Sequence, residues 1–278
     1  MKFFTFCVDI GKHSKQELET CLIILLNSLE KNVKDYKIIC YSNYLNSETK
    51  KLKYSNYNIE FREYYDRTIN PIYSSKWLNL SFNKINVCKD LMDEFKESYV
   101  WIDIDTIVAY DISYLNEVDN FFVPINGPCR NKNLLFVNDS TITVPRCDYI
   151  QSHFWKISSK IHKELFETLD EIKSKNLILR FDIQDLFGYH LYVKNFCNTL
   201  NILGKNYKTN TLNSLSVWSP NGDSHANING LNNLYFDGRI LRTTYEKDKE
   251  IHVLSFTMET MKKLINTQKF KELFGDLF

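Results

Sequence analysis

The sequence predicts an α/β domain with a mostly parallel central sheet flanked by helices and a smaller, mixed C-terminal part. Three observations predict it. Apolar, β-branched runs alternate with segments of helical periodicity through the first 110 residues. The segments joining those runs are too long for tight hairpin turns, which favours parallel pairing. Beyond Tyr110 the pattern breaks into short apolar runs flanked by Pro, Gly and Asn.

Taken in order, Lys2 to Ile10 makes a first strand ended by Gly11, after which Ser14 caps a helix from Lys15 to Lys31. Tyr36 to Tyr41 makes a second strand and Ile59 to Tyr64 a third. Ser81 to Phe95 places Phe82, Ile85, Leu91, Met92 and Phe95 on one helical face, and Tyr99 to Val108 returns as a strongly apolar strand. Phe121 to Ile125 and Leu134 to Val137 are short strands. Ile150 to Lys173 and Asp182 to Val193 carry helical periodicity. Leu234 to Phe256 reads as a hairpin around Gly238 followed by a strand at Ile251 to Phe256, and Met258 to Leu277 as one amphipathic helix. By chain order this divides into residues 1–110, a nucleotide-binding type of β/α half, and residues 111–278, which complete the same domain.

A chain of 278 residues with 44% hydrophobic residues can bury a full core. Charges nearly balance, 35 Lys+Arg against 34 Asp+Glu, so no global field draws it to nucleic acid or an anionic bilayer. The seven cysteines are scattered, odd in number and without C-x-x-C spacing, which speaks against a disulfide framework or zinc cluster and for reduced thiols in a cytosol. The opening apolar run is too short for a signal-peptide core before Asp9. Cys21 to Leu26 is too short to span a bilayer, so the expectation is a cytoplasmic protein with no integral span and at most peripheral membrane contact.

Within Tyr99 to Val108, almost everything is apolar except Asp103 and Asp105. On a strand, positions i and i+2 share a face about 6.5–7 Å apart, so both carboxylates would look into one space. Burying two like charges costs several kcal/mol each unless a cation or hydrogen-bond donors compensate. A hard divalent ion, Mn²⁺ or Mg²⁺, suits two carboxylates plus substrate phosphates. The alternative is a solvated strand end whose acids cap a turn or pair with Lys or Arg.

An Asp-x-Asp after an apolar run and two β-α units resembles the GT-A glycosyltransferases, most of all the glycogenin and lipopolysaccharide galactosyltransferase-like family. The resemblance covers the order of elements over most of the chain. Its specific matches are Ile102 to Val108, Gln184-Asp185-Leu186-Phe187, and His252. It implies a Rossmann-like GT-A fold, a nucleotide-sugar donor and a divalent metal held by Asp103 and Asp105. His252 resembles the family's third metal ligand, although the Gly, Lys and Pro-Trp that usually follow are replaced by Leu254, Ser255 and Phe256. A lone histidine in an apolar strand is equally a core residue, and His190 is a weaker rival.

The segment Asp182-Ile183-Gln184-Asp185 resembles the family's donor- and acceptor-facing helix start, with Ile183 where the family has its first Asp and Asp182 one step out of register. For a retaining enzyme, Gln184 or Asp185 would lie at the anomeric centre; for an inverting one, Asp182 or Asp185 would be the base. The plainer reading is an N-cap with an acid favourably placed on the helix dipole. Asp9, at the end of the first strand, matches the position that holds base and ribose, or is an ordinary strand terminator. Lys84 matches a basic position near the diphosphate, or is a solvated lysine. Trp77, His153 and Trp155 are candidates for an acceptor wall, or core.

These readings combine into a metal-dependent transferase moving a sugar, from a UDP-sugar by resemblance, to a hydroxyl of a glycan, lipid-linked glycan or protein. A modified base in nucleic acid is a minority acceptor. Two other classes compete. A nucleotidyltransferase would use a similar carboxylate-held metal, but Gly11 stands alone where a glycine-rich triphosphate loop would be. A non-catalytic nucleotide-sugar-binding or scaffold protein would also fit the composition.

Overall fold

A computed structural model describes residues 1–67, 76–124, 134–137, 140–143, 150–175, 182–190, 214–217, 231–244 and 249–278. In chain order the elements begin with β1 (Lys2–Phe6), α1 (Lys15–Asn32), β2 (Lys37–Ser42), α2 (Glu48–Leu52), β3 (Ile59–Glu63) and α3 (Lys76–Phe95). There follow β4 (Val100–Ile102), β5 (Thr106–Val108), β6 (Phe121–Pro124), β7 (Leu134–Val137), β8 (Ser140–Thr143), β9 (Ile150–Lys156), α4 (Ser159–Ser174) and α5 (Asp182–Gly188). The last are β10 (Ser214–Val217), β11 (Leu234–Asp237), β12 (Ile240–Thr243), β13 (Lys249–Glu250), β14 (Val253–Phe256), α6 (Met258–Leu264) and α7 (Gln268–Phe274).

The fold is the α/β class the sequence predicts, with a mostly parallel central sheet flanked by helices. Its compact units follow space rather than chain order and cut across the division at residue 110. Met1–Tyr64, Ile102–Glu117 and Leu212–Phe278 make the first; Tyr65–Trp101 and Val118–Thr211 make the second.

In the first unit, β1 pairs parallel with β2 and β2 with β3, with Phe4 opposite Ile39 and Ile38 opposite Ile59. Parallel pairing requires crossover connections, and α1 supplies the first of them. It starts at a capping box in which Ser14 accepts from the Glu17 amide and Glu17 accepts from the Ser14 amide. Its buried face carries Leu22, Ile24, Leu25, Leu26 and Leu29, each worth about 1.5–3 kcal/mol when removed from water. A second sheet runs β10-β14-β5, with β14 antiparallel to β5. The other edge of β5 is met by α1 side chains: Ser28 Oγ accepts from the Val108 amide at 3.1 Å and Asn32 Nδ2 donates to the Val108 carbonyl at 2.8 Å. β11, β12 and β13 form an antiparallel meander. Its first turn holds Gly238 at φ +62°, a left-handed conformation natural to glycine.

In the second unit, β9 lies between β4 and β6, antiparallel to β6 with a register shift between Phe122 and Val123. Its core is aromatic: Trp101 stacks on Trp155 at 6.3 Å, and Trp155 meets the edge of Phe187 at 5.5 Å. His162 on α4 is buried with Nε2 3.0 Å from the Ile85 carbonyl. β7 and β8 form a hairpin.

Several expectations are corrected. Tyr99 to Val108 is not one strand. β4 and β5 belong to different sheets, and Asp103-Ile104-Asp105 makes the turn between them. Aspartate disfavours strand interiors and favours turns, but the apolar flanks on both sides hide the change of sheet. The helix expected from Ile150 is a strand, β9, before the Ser158 cap opens α4; its β-branched and aromatic residues suit a pleated, buried position. The helix from Asp182 ends at Gly188, followed by a π-turn at Tyr189 and His190, while residues 191–193 lie outside the described residues. The C-terminal helix is two helices, because Thr267 turns its side chain back to accept from the Phe270 amide and starts a new one. α2, β8 and β10 had no sequence expectation.

Candidate active site

The loop after β1 carries Asp9. Its amide donates to Asn43 Oδ1 and its carbonyl accepts from Asn43 Nδ2, both at 2.9 Å, so the loop is pinned to the end of β2. Asp9 Oδ1 accepts from the Gly11 amide at 2.8 Å, and Lys15 Nζ stands 3.8 Å from Oδ2. Gly11 takes φ +83°, where any other residue is strained. Asp9 therefore builds the turn, and its side chain is 28% exposed.

Past Gly11 come two side chains that no sequence pattern singles out. Lys12 Nζ lies 2.8 Å and His13 Nε2 3.8 Å from the same Oε1 of Glu259, in the first turn of α6. Burial lowers the His13 pKa, with Glu259 acting in the opposite direction. The signal for this cluster is long-range pairing, which a single sequence does not display.

The acid turn lies in the same unit. Asp103 is half-buried and Asp105 is 9% exposed. The Asp105 carbonyl accepts from the Phe256 amide at 3.0 Å, which closes the turn end of the β5–β14 ladder. The Asp105 carboxylate is also near α1: after burial it is the next cause raising the pKa of the buried Cys21 thiol. Cys7, Cys21, Cys40 and Cys88 are free, buried thiols, while Cys129, Cys147 and Cys197 lie outside the described residues.

His252 is buried at 7% exposure and stacks on Tyr110 with ring centroids 5.2 Å apart. Its Nε2 lies 3.7 Å from Glu250 Oε2, and its Nδ1 has no hydrogen-bond partner among the described residues. Burial lowers its pKa, against the raising effect of Glu250. The ladder register weighs against the place as a third metal ligand that the resemblance implies. Its carbonyl accepts from Ala109 while that of Asp105 accepts from Phe256. The two residues are thus four ladder positions apart, about 13 Å at ~3.3 Å per residue, too far for one ion between them. Among the described residues, no three His, Cys, Asp or Glu side chains converge on a metal-holding point. Two carboxylates on one short turn remain, and they are a donor set that suits a hard cation sharing its other positions with phosphate oxygens and water.

The remaining candidates lie in the second unit. Lys84 is not a solvated lysine: it is 9% exposed, with Nζ 4.4 Å from the centroid of the Trp101 ring. Asp185 has no exposed surface, like its sequence neighbours Ile183, Leu186 and Phe187. His190 is buried with Nδ1 2.7 Å from Thr168 Oγ1. Trp155 and His153 are buried, and Trp155 is core rather than acceptor wall. The side chains of Asp182, Gln184 and Trp77 lie outside the described residues.

Among solved structures, the chain is similar to the apo structure of the bifunctional glycosyltransferase WbbM, with a TM-score of 0.56, 15% identity, and coverage of 99% of this chain and 51% of that one. It is also similar to an active-site glutamine-to-glutamate mutant of LgtC, with a TM-score of 0.55, 12% identity, and coverage of 92% and 87%. The chain thus spans about half the length of WbbM. The sequence matches no family model and no curated protein. At these identities the likeness is one of fold, and the fold is GT-A-like. No helix among the described residues is long and apolar enough to cross a membrane.

Proposed function

We propose that this chain is a metal-dependent glycosyltransferase, moving a sugar from a nucleotide-sugar, of the UDP type, to a hydroxyl on a glycan, lipid-linked glycan or protein. The observation that carries the reading is the acid turn: in a GT-A-like fold, Asp103 and Asp105 sit together on the three-residue link between two sheets, one half-buried and one buried.

In this reading Asp103 and Asp105 would hold Mn²⁺ or Mg²⁺, which when bound offsets the charge that develops on the leaving diphosphate. The chain's own groups do the rest. Asp9 and the loop it closes receive the nucleoside. Lys84, held over Trp101 rather than waving in solvent, supplies a fixed positive charge to the donor. Gln184 and Asp182 are the groups proposed at the anomeric centre, and the active-site glutamine changed in the LgtC mutant supports Gln184. Asp185 is the third group proposed there, and it is fully buried.

A thermal-shift panel of UDP, GDP, CDP and ADP, each with and without Mn²⁺, tests the reading. A ligand at one hundred times its Kd adds about 2.7 kcal/mol to stability. The expected result is a Mn²⁺-dependent rise in Tm with one nucleotide, UDP first. A panel in which no nucleotide raises Tm with the metal present overturns the proposal.

A further inference from the structure

The loop from Asp9 to Ser14 is fixed at its two ends by hydrogen bonds, Asp9 to Asn43 after β2 and Ser14 to Glu17 within the α1 cap. Its middle is held differently. Lys12 and His13 converge on one oxygen of Glu259, a residue 246 positions beyond His13 in the chain. The His13 side chain is mostly buried and its Nδ1 finds no partner among the described residues, so Glu259 is the charged group that its ring meets through Nε2. The charges around His13 come from three places. Glu259 and Lys262 reach it from α6, Glu17 from α1 and Lys12 from its own loop. Lys262 itself pairs with Glu17 at 2.7 Å, a second tie between α6 and the start of α1.

Glu259 is also close in sequence to the acid turn's backbone partner. Phe256, whose amide donates to Asp105, is three residues before it. A short segment thus bonds the turn at one end and the loop at the other.

We propose that Glu259 is a positioning residue for donor binding, clasping Lys12 and His13 so that the loop after β1 is preformed when the nucleotide arrives. This rests on the glycosyltransferase reading above. Burial raises the Glu259 carboxyl, but the bond from Lys12, the bond from its own backbone amide and the charges of Lys12 and His13 together outweigh it and hold the group below its ordinary value. The carboxylate therefore stays charged at neutral pH and keeps its pair with Lys12, while burial favours the neutral form of His13 beside it. Preorganising a loop improves affinity because less ordering is left for the ligand to impose.

The test uses E259Q, K12M and the double variant of the full chain, with two measurements. Hydrogen–deuterium exchange without ligand reads the loop itself, and the amides of Ile10 to His13 are expected to exchange about 5-fold or more faster in E259Q. Calorimetric titration with UDP and Mn²⁺, or with GDP, CDP or ADP if UDP is silent, reads donor affinity. E259Q is expected to weaken it about 5- to 20-fold, and K12M to add no more than about 2-fold on top of E259Q, because the two residues act as one unit. A wild type that binds and an E259Q that binds equally well overturn the clasp and leave the enzyme reading intact. Equal exchange in the two proteins does the same. A wild type that binds none of the four nucleotides overturns the enzyme reading, and faster exchange in E259Q would then mark the clasp as purely structural, which also defeats the proposal.

Discussion

At one end of the β5–β14 ladder the Asp105 carbonyl accepts from Phe256, and two aspartates occupy a three-residue turn; at the other the Ala109 amide donates to His252, whose ring lies against Tyr110. Both ends bury a polar group in a mostly apolar setting. They differ in how those groups stand. The imidazole is shielded by an aromatic face, accompanied by one glutamate, and shifted toward its neutral form by burial. It is a group the core can tolerate as it is. Asp103 and Asp105 stand instead on a turn between two sheets, one half-buried and one 9% exposed. Polar groups that look alike in the sequence therefore differ in setting once register fixes the distance between them: a buried ring against an aromatic face, and two aspartates on a turn between two sheets.

The sharpest way to break that contrast is at the acid end. D105N and D103N should each abolish the Mn²⁺-dependent rise in Tm and weaken the metal–nucleotide complex by more than the roughly 10- to 100-fold that outer-shell residues cost. The metal-free Tm should change little. Retention of wild-type affinity in either variant would show that the acids are ordinary turn formers.

How much of this the sequence displays depends on range. The strand–helix alternation and the Ser14 cap are local, so β1, α1, β2 and β3 can be read directly. Asp103 and Asp105 also stand out, since polar residues in an apolar run need no partner to be noticed. Their setting does not. Whether Val108 continues the strand begun by Val100 or belongs to another sheet depends on β14, more than 140 residues later, and hydropathy alone cannot decide it. The same range limit hides the distance from Asp105 to His252, the burial of Lys84 against Trp101, and the convergence of Lys12 and His13 on Glu259. For β9, the period itself misleads: Phe154 and Trp155 fit a helical face or a buried strand equally well, and packing chooses the strand.

A variant between the two ends sharpens the comparison by testing what holds the ladder. S28A removes the oxygen that accepts from the Val108 amide and leaves a buried donor unsatisfied. Such a loss costs about 1–3 kcal/mol. Urea unfolding should show the drop with an unchanged m-value, and a change below about 0.5 kcal/mol would mean that the amide finds another acceptor.

The histidine end has its own signature in pH. Burial holds His252 and, in the second unit, His162 below the ordinary value of about 6.5. The unfolded chain then binds more protons than the folded one below that pH. Stability is full above about pH 6.5 and falls as pH drops through and below it, at most about 1.4 kcal/mol per pH unit for each histidine. Equilibrium unfolding at pH 7.5, 6.5 and 5.5 should show this decline, and a flat profile would contradict the burial of both rings.

The smallest effect is the most discriminating. If His252 belongs to the core, H252Q should shallow the acid-side decline, because one of the depressed histidines is gone, and cost some stability through the lost stack on Tyr110, about 0.5–1.5 kcal/mol. It should leave the Kd for UDP with Mn²⁺ within about 2-fold of wild type, since the register sets it about 13 Å from Asp105 along the ladder. Calorimetry on D105N and H252Q side by side separates the possibilities. Were H252Q to weaken the metal-dependent complex as D105N does, the two ends of the ladder would have to meet at one ion, and the spacing read from the backbone bonds could not describe the loaded protein.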